Sequence, residues 1–283
     1  MSAALALVAA FLACGLLARL APLDQPESAP ERKLQRGPVP RIGGIVLALG
    51  LCVLWLAKEW SPLTPLALGA AFAVGLADDL APRGLHRPLK FALEALVCGL
   101  FAWEGSGSGV LAFALAALAL GAANTFDNAD GALAGLGCAA LVPVAPAAAA
   151  LVGGFLPWNL WLRTPLGAPR AYLGDSGSHL LGLLLLGDAR SALFLVLPLL
   201  DLARLAWVRW RAGSRPWIGD RRHLAHRLQA RGLGPSAVAL VLLGIASPAI
   251  VLPAAWAAAA TAILFAGALA LTPDPCPRPG AAG

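Results

Sequence analysis

Charge is what this sequence has least of: Asp, Glu, Lys and Arg make up 13% of its 283 residues, while 59% are apolar. Soluble globular chains run nearer a quarter charged, so the deficit excludes an ordinary soluble domain. Methionine and tyrosine occur once each, and the five cysteines form no CxxC pair. Four of them, Cys14, Cys52, Cys98 and Cys138, lie inside apolar runs and read as small core residues, not as a disulfide framework. No basic segment precedes the first apolar run, 2–20, and Arg19 follows it, which is the pattern of a retained span and not of a cleaved signal peptide. The Gly-rich turn Glu104–Gly109 lacks the Lys-Ser/Thr that a phosphate loop requires.

What is present is oil in span-length pieces. Apolar stretches cover 2–20, 42–57, 63–79, 88–103, 109–126, 131–146, 147–162, 176–187, 190–208, 236–252 and 254–272, where a crossing helix needs about 17–25 residues. The expected fold is all-α: a polytopic membrane helix bundle of ten or eleven transmembrane helices, forming one domain over 1–283. The Ala- and Pro-rich 131–162 region and the short 176–187 run decide between the two counts. With alternate loops assigned to the two sides, all but Lys58 and Arg190 of the 21 lysines and arginines fall on one side. The positive-inside rule makes that side cytoplasmic, with the N-terminus outside and the C-terminus inside. The same distribution argues against nucleic acid as the partner of this net +6 chain, because the cations flank membrane spans.

Three acidic clusters stand out against that background: Asp78-Asp79, Asp127 with Asp130, and Asp175, each at the end of an apolar run and on the cytoplasmic side. Ionisable residues at membrane spans are costly unless compensated, and they read as functional by default. Carboxylates gathered on one face invite a divalent cation, and a cation invites a phosphate substrate. Asp78 and Asp79 close a span at a helix C-terminus, which disfavours anions, so a plain solubilising cap explains them poorly. Consecutive helical positions diverge by about 100°, so one carboxylate can face a site while the other supports it. Asn124, Asp127 and Asp130 recur every third residue and would form one polar stripe on a helical turn. Their oxygens suit Mg²⁺ or sugar hydroxyls; loop solvation is the bland alternative. Leu173-Gly-Asp175-Ser-Gly-Ser178 opens a span with small residues, so its amides could approach a phosphate at a helix N-terminus, or Asp175 or Ser176 could simply cap it.

Two basic segments complete the pattern. In 24–44, a polar Pro-rich loop gathers Arg32, Lys33, Arg36 and Arg41 before the span opens at Gly43-Gly44. It is either a positive-inside anchor or an anion-binding loop with Lys33 as a phosphate contact. The largest cytoplasmic loop holds Asp220, His223 and His226 at i, i+3, i+6, one helical face, among eight arginines from Arg204 to Arg231. The Glu of HExxH is absent, so zinc is disfavoured and diphosphate binding is the better reading.

The order of these pieces resembles the polyprenyl-phosphate N-acetylhexosamine-1-phosphate transferases, over roughly residues 20–235. The resemblance rests on the Arg-Lys loop followed by PVPRIGG, then GLADDL, PLKF, NTFDNADG, LGDSGS and DRRHLAHRL. It implies a Mg²⁺-dependent reaction of a UDP-amino sugar with undecaprenyl phosphate, giving a sugar-diphospholipid and UMP. It also implies a bacterial inner membrane location with a cytoplasmic active site, membrane lipid around the chain, and the option of a homodimer. Carried over by motif, Asp78 and Asp79 are the catalytic pair, and Asn124 and Asp175 are Mg²⁺ ligands. Lys33, Asp127, Asp130, His223 and His226 contact the nucleotide sugar or its phosphates. Gln35, Asn128, Ala132 and Ala225 depart from the family pattern and bear on sugar choice. Two other classes compete. A transporter predicts acids near the midplane and a repeat between halves, whereas these acids sit at one face. An inactive scaffold predicts lost carboxylates, and none is lost.

Overall fold

The structure, a computed structural model, describes residues 2–24, 37–58, 64–105, 109–215 and 220–272. Each of the eleven expected apolar stretches contains a helix. In chain order these are α1 (Ala3–Leu17), α2 (Gly43–Leu56), α3 (Pro65–Leu80), α4 (Arg87–Glu104), α5 (Gly109–Phe126), α6 (Ala132–Leu141), α7 (Pro146–Leu160) and α8 (Gly174–Leu186). The 190–208 run becomes a bent rod, α9 (Ala189–Ala192), a 3₁₀ turn and α10 (Val196–Arg211). A short helix, α11 (Leu224–Ala230), precedes α12 (Pro235–Ala246), α13 (Pro248–Val251) and α14 (Ala254–Leu271). Among the described residues, three segments, Gly109–Phe126, Ala189–Arg211 and Ala254–Leu271, are long and apolar enough to cross a membrane by themselves, and four shorter apolar helices accompany them. This is an all-α membrane bundle.

One small sheet lies outside the helical expectation. β1 (Leu23–Asp24) pairs antiparallel with β2 (Val39–Pro40), and Arg41 bridges to Tyr172 just beyond. The contact has a physical reason. The first amides of α2 lack intrahelical partners, and Gly43 and Gly44 N–H donate to the carbonyls of Tyr172 and Leu173 at 3.0 and 2.9 Å. The chain entering α8 thus lies alongside the chain entering α2.

Close packing between the helices depends on small residues. In α1, Ala6, Ala10 and Cys14 are buried against α7, where a Cβ on Gly154 would come within 2.3 Å of the Leu7 carbonyl oxygen. Trp158 locks the pair by donating its indole N–H to Phe11 O at 3.0 Å. The four described cysteines are free; Cys14 and Cys98 are buried as expected of core residues, Cys138 is half-buried, and Cys52 is exposed, against that expectation. α8 is the centre. All of Ser176–Leu185 is buried, the polar Ser176, Ser178 and His179 included. α2 and α3 press against its beginning through Gly44 and Gly75. A Cβ at Gly44 would meet Gly177 N at 2.3 Å, and one at Gly75 would meet Asp175 O at 2.4 Å.

The helix ends sort into two sets. At one end the acidic and histidine-bearing segments converge. At the other, Glu104 at the close of α4 accepts from the amides of Leu66 and Ala67 in the first turn of α3, at 2.9 and 2.8 Å. Asp188 caps α9 there by accepting from Arg190 and Ser191 N–H.

Candidate active site

α3 ends where α8 begins, and Asp79 joins them. Its buried carboxylate accepts from Asp175 N–H at 3.0 Å, Ser176 N–H at 3.0 Å and the Ser176 hydroxyl at 2.7 Å. Arg41 supplies the charge balance, donating to Asp79 Oδ1 at 3.4 Å and to Asp24 with the other arm of its guanidinium. This corrects the expectation for LGDSGS. Two N-terminal amides of α8 are occupied by Asp79 and do not face a phosphate, and neither Asp175 nor Ser176 supplies the cap. Asp79 is itself the anion that the positive end of α8 attracts. Gly174 makes the approach possible: it has a left-handed φ of +78°, and a Cβ there would stand 2.6 Å from Asp79 Oδ2.

Asp78 turns the other way. It accepts from Leu85 N–H at 2.9 Å and lies 3.4 Å from Lys90 Nζ, whose ammonium also pairs with Asp175. A cation in the first turn of a helix opposes the helix dipole, so Lys90 in α4 is held by these two carboxylates and not by its own helix. Sequence reasoning quoted Lys90 within PLKF without giving it a role. Its unfavourable position in the first turn was the available signal.

Asp175 opens onto a cavity of about 450 Å³, whereas Asp78 and Asp79 stand behind it and do not line it; the volume is within the range of about 300–1,000 Å³ common for small-molecule sites. Its wall includes the carboxyl groups of Asp24, Asp127, Asp130 and Asp175 and the guanidiniums of Arg41 and Arg163, together with Asn128, Tyr172 and His226. Asp130 is held by Arg163 at 2.6 Å, and the same guanidinium donates to Leu160 O at 2.6 Å. Burial raises the Asp130 carboxyl above its ordinary range and outweighs the opposing pull of Arg163. Asp127 has no hydrogen bond or ion pair to its carboxylate among the described residues. Burial, then Asp175, Asp79 and Asp130, push it well above the ordinary carboxylate range.

The expected polar stripe is only partly helical. α5 stops at Phe126, leaving Asn124 on its last turn and Asp127 and Asp130 in the turns that follow. Asn124 does not line the cavity; its Oδ1 stands 3.5 Å from the Ser178 hydroxyl. Nor do Asp220, His223 and His226 share a helical face, since α11 begins only at Leu224. Asp220 pairs with Arg209 at 3.1 Å; burial opposes its charge, but Arg209 holds the carboxyl below its ordinary range. His223 is buried behind the wall, with Nδ1 3.2 Å from Asp201 and 2.9 Å from the Asn128 amide nitrogen. His226 reaches the cavity, and its Nδ1 lies 3.0 Å from Gln229 Oε1. Burial, the largest influence, lowers its pKa below the usual imidazole value, so it faces the cavity neutral. Lys33 lies outside the described residues. Sequence reasoning missed Asp201, a lone acid inside an apolar run, and left Asp24 and Arg41 without the pairing they make.

Among the described residues no group of three His, Cys, Asp or Glu side chains is arranged to hold a metal ion. Mg²⁺ commonly takes only one or two protein carboxylates and completes its shell with substrate phosphates and water. The oxygen donors of Asp127 and Asp175 on one wall, with the first lacking a cation, fit that chemistry.

Fold and site together define a polytopic membrane enzyme whose polar chamber lies among helix ends. No family model matches the chain. Curated relatives do. A putative glycosyltransferase of Streptomyces coelicolor is 30% identical over 86% of this chain and 67% of its own length. The undecaprenyl-phosphate alpha-N-acetylglucosaminyl 1-phosphate transferase of Yersinia pestis is 27% identical over 84% of this chain and 77% of its own. The decaprenyl-phosphate N-acetylglucosaminephosphotransferase of Mycobacterium leprae is 28% identical over 84% and 78%. The chain belongs to the polyprenyl-phosphate N-acetylhexosamine-1-phosphate transferase family.

Proposed function

We propose that the chain transfers N-acetylhexosamine-1-phosphate from a UDP-amino sugar to undecaprenyl phosphate, releasing UMP, at the cytoplasmic face of a bacterial inner membrane. This would be the first membrane step in building a cell-wall or surface glycan. The observation that carries the reading is the chamber, with four carboxylates against two guanidiniums at the end of the bundle that gathers the acidic clusters. The names of the relatives support the substrate classes, and the one-sided lysines and arginines support the cytoplasmic placement.

In the reaction, an oxygen of the lipid phosphate forms a bond to the β-phosphorus of the nucleotide sugar. The bond from that phosphorus to the bridging oxygen breaks, and the electron pair leaves with UMP. Phosphoryl transfer asks a protein for in-line positioning and charge neutralisation above all. Arg41 and Arg163 offer guanidinium forks on the chamber wall for phosphate oxygens, and neutral His226 offers a hydrogen bond. Asp78 readies the lipid phosphate by accepting its proton, while Asp79 acts from behind by fixing the start of α8. Lys33 is assigned to a phosphate on its motif, and His223 to the support of Asn128 and α11. Mg²⁺, held by Asp175 and Asp127, would supply neutralisation of the diphosphate; Asn124, the other ligand implied by motif, stands outside the chamber wall. A single displacement is favoured, because a membrane site can hold both substrates in line.

The test is an assay in membranes with radiolabelled UDP-amino sugars and undecaprenyl phosphate, following lipid product and UMP. The expected result is one UMP per lipid-linked sugar phosphate, abolished by EDTA and restored by Mg²⁺. Absence of lipid product with every UDP-amino sugar sinks the function. Stoichiometric UMP release without lipid acceptor sinks the single displacement, and full activity in EDTA sinks the metal.

A further inference from the structure

One ionisable pair takes no part in the chemistry above. His179 lies one turn further along α8 than Asp175 and is completely buried. Its Nδ1 stands 2.7 Å from the Asp175 carbonyl oxygen, and its Nε2 stands 2.9 Å from Glu94 Oε1 on α4. A carbonyl oxygen only accepts, so Nδ1 carries a proton. The second contact is a hydrogen bond only if one further proton lies between Nε2 and the carboxylate, so the two side chains form a defined bridge from α4 to α8.

Glu94 also follows Lys90 by four residues, about 6 Å along the helix, on the same face of α4. α4 therefore grips Asp175 at two levels. Lys90 holds the side-chain carboxylate, and Glu94 acts through His179 on the backbone carbonyl, where the Ser178 hydroxyl adds a contact at 3.2 Å. From the opposite side Asp79 accepts the Asp175 N–H at 3.0 Å.

We infer that Glu94 and His179 are a positioning pair for Asp175: a second-level clamp that sets where this carboxylate stands in the chamber without touching substrate. The inference rests on the proposed role of Asp175. Outer-shell partners of a metal-binding side chain typically contribute about 10–100-fold in affinity or activity, which sets the size of the effect.

The experiment compares E94A, E94Q, H179Q and E94A/H179Q in the full-length enzyme in nanodiscs, with folded protein quantified by size-exclusion fluorescence. Two readouts are taken: the kcat and KM split for the UDP-amino sugar, and Mn²⁺ affinity by electron paramagnetic resonance without substrate. E94A is expected to lower kcat per folded enzyme about tenfold or more with KM within about twofold, and to weaken Mn²⁺ binding by a similar factor. E94Q is expected to restore both within about threefold, because its amide N–H donates to a neutral Nε2. The double variant is expected to be no worse than the weaker single variant, as for two residues acting as one unit. Unchanged kcat and Mn²⁺ affinity in folded E94A overturn the clamp, as does E94Q failing as badly as E94A. A wild type without transferase activity, with Mn²⁺ binding still weakened in E94A, overturns the proposed function and leaves the clamp standing.

Discussion

Asp127 faces the chamber with Asp175, Asp79 and Asp130 as its electrostatic neighbours, so its charge is a strain on the folded protein. Its folded pKa is raised, so the folded state holds this proton to higher pH than the unfolded chain does. Stability therefore falls as pH rises from the ordinary carboxylate pKa near 4 through the raised folded value. In EDTA, D127N should melt higher than the wild type at neutral pH and lose that advantage in acid, while its transferase activity is abolished. Mg²⁺ should raise the melting temperature of the wild type and leave D127N unmoved; scanning fluorimetry across pH with and without Mg²⁺ reads all three. D78N makes the complementary case. The amide keeps the shape but cannot take a proton from the lipid phosphate, so kcat should fall about 10²-fold or more while binding of the UDP-amino sugar persists. Retained wild-type turnover would remove Asp78 from the mechanism. At this scale the sequence displayed the acids because an isolated charge in an apolar run is conspicuous. It did not display their pairing: that Asp79 closes α8 while Asp78 meets Lys90 depends on which helices are neighbours.

Helices were legible because a span is a local quantity: eleven apolar stretches gave helices near their expected positions, including 176–187, where α8 runs Gly174–Leu186. Contacts across helices were not, and the glycines show why. In the sequence Gly43-Gly44 mark only the opening of a span. In the structure Gly44 and Gly75 are notches into which the start of α8 fits. G44A and G75A should each destabilise the protein by about 1–3 kcal/mol through overpacking and lower turnover by displacing Asp175. Gly69 on the same α3 has open space around its Cβ position, so G69A should be neutral or stabilising by about 0.5–1 kcal/mol. Thermal melts of the three variants, with activity per folded molecule, make the comparison. Equal effects at Gly69 and Gly75 would remove the notch.

For the whole molecule, the proposed orientation rests on the uneven lysines and arginines. K58C and R231C in a background without native cysteines should label from opposite sides of the membrane, the first in intact cells and the second only after permeabilisation. The reverse pattern would turn the bundle over and place the chamber outside. The joint between α3 and α8 carries a consequence for how such a bundle is made. The partners Asp79 and Ser176 are 97 residues apart. At roughly 5–20 residues per second, the ribosome needs about 5–20 s to supply the helix start that Asp79 will hold. Arg41, 38 residues earlier in the chain, has been synthesised long before, so a nascent α3 can rest its carboxylate against that guanidinium while it waits. Loss of Arg41 is then expected to show first as a failure of insertion during synthesis, read by the yield of membrane-integrated R41A before its activity is measured.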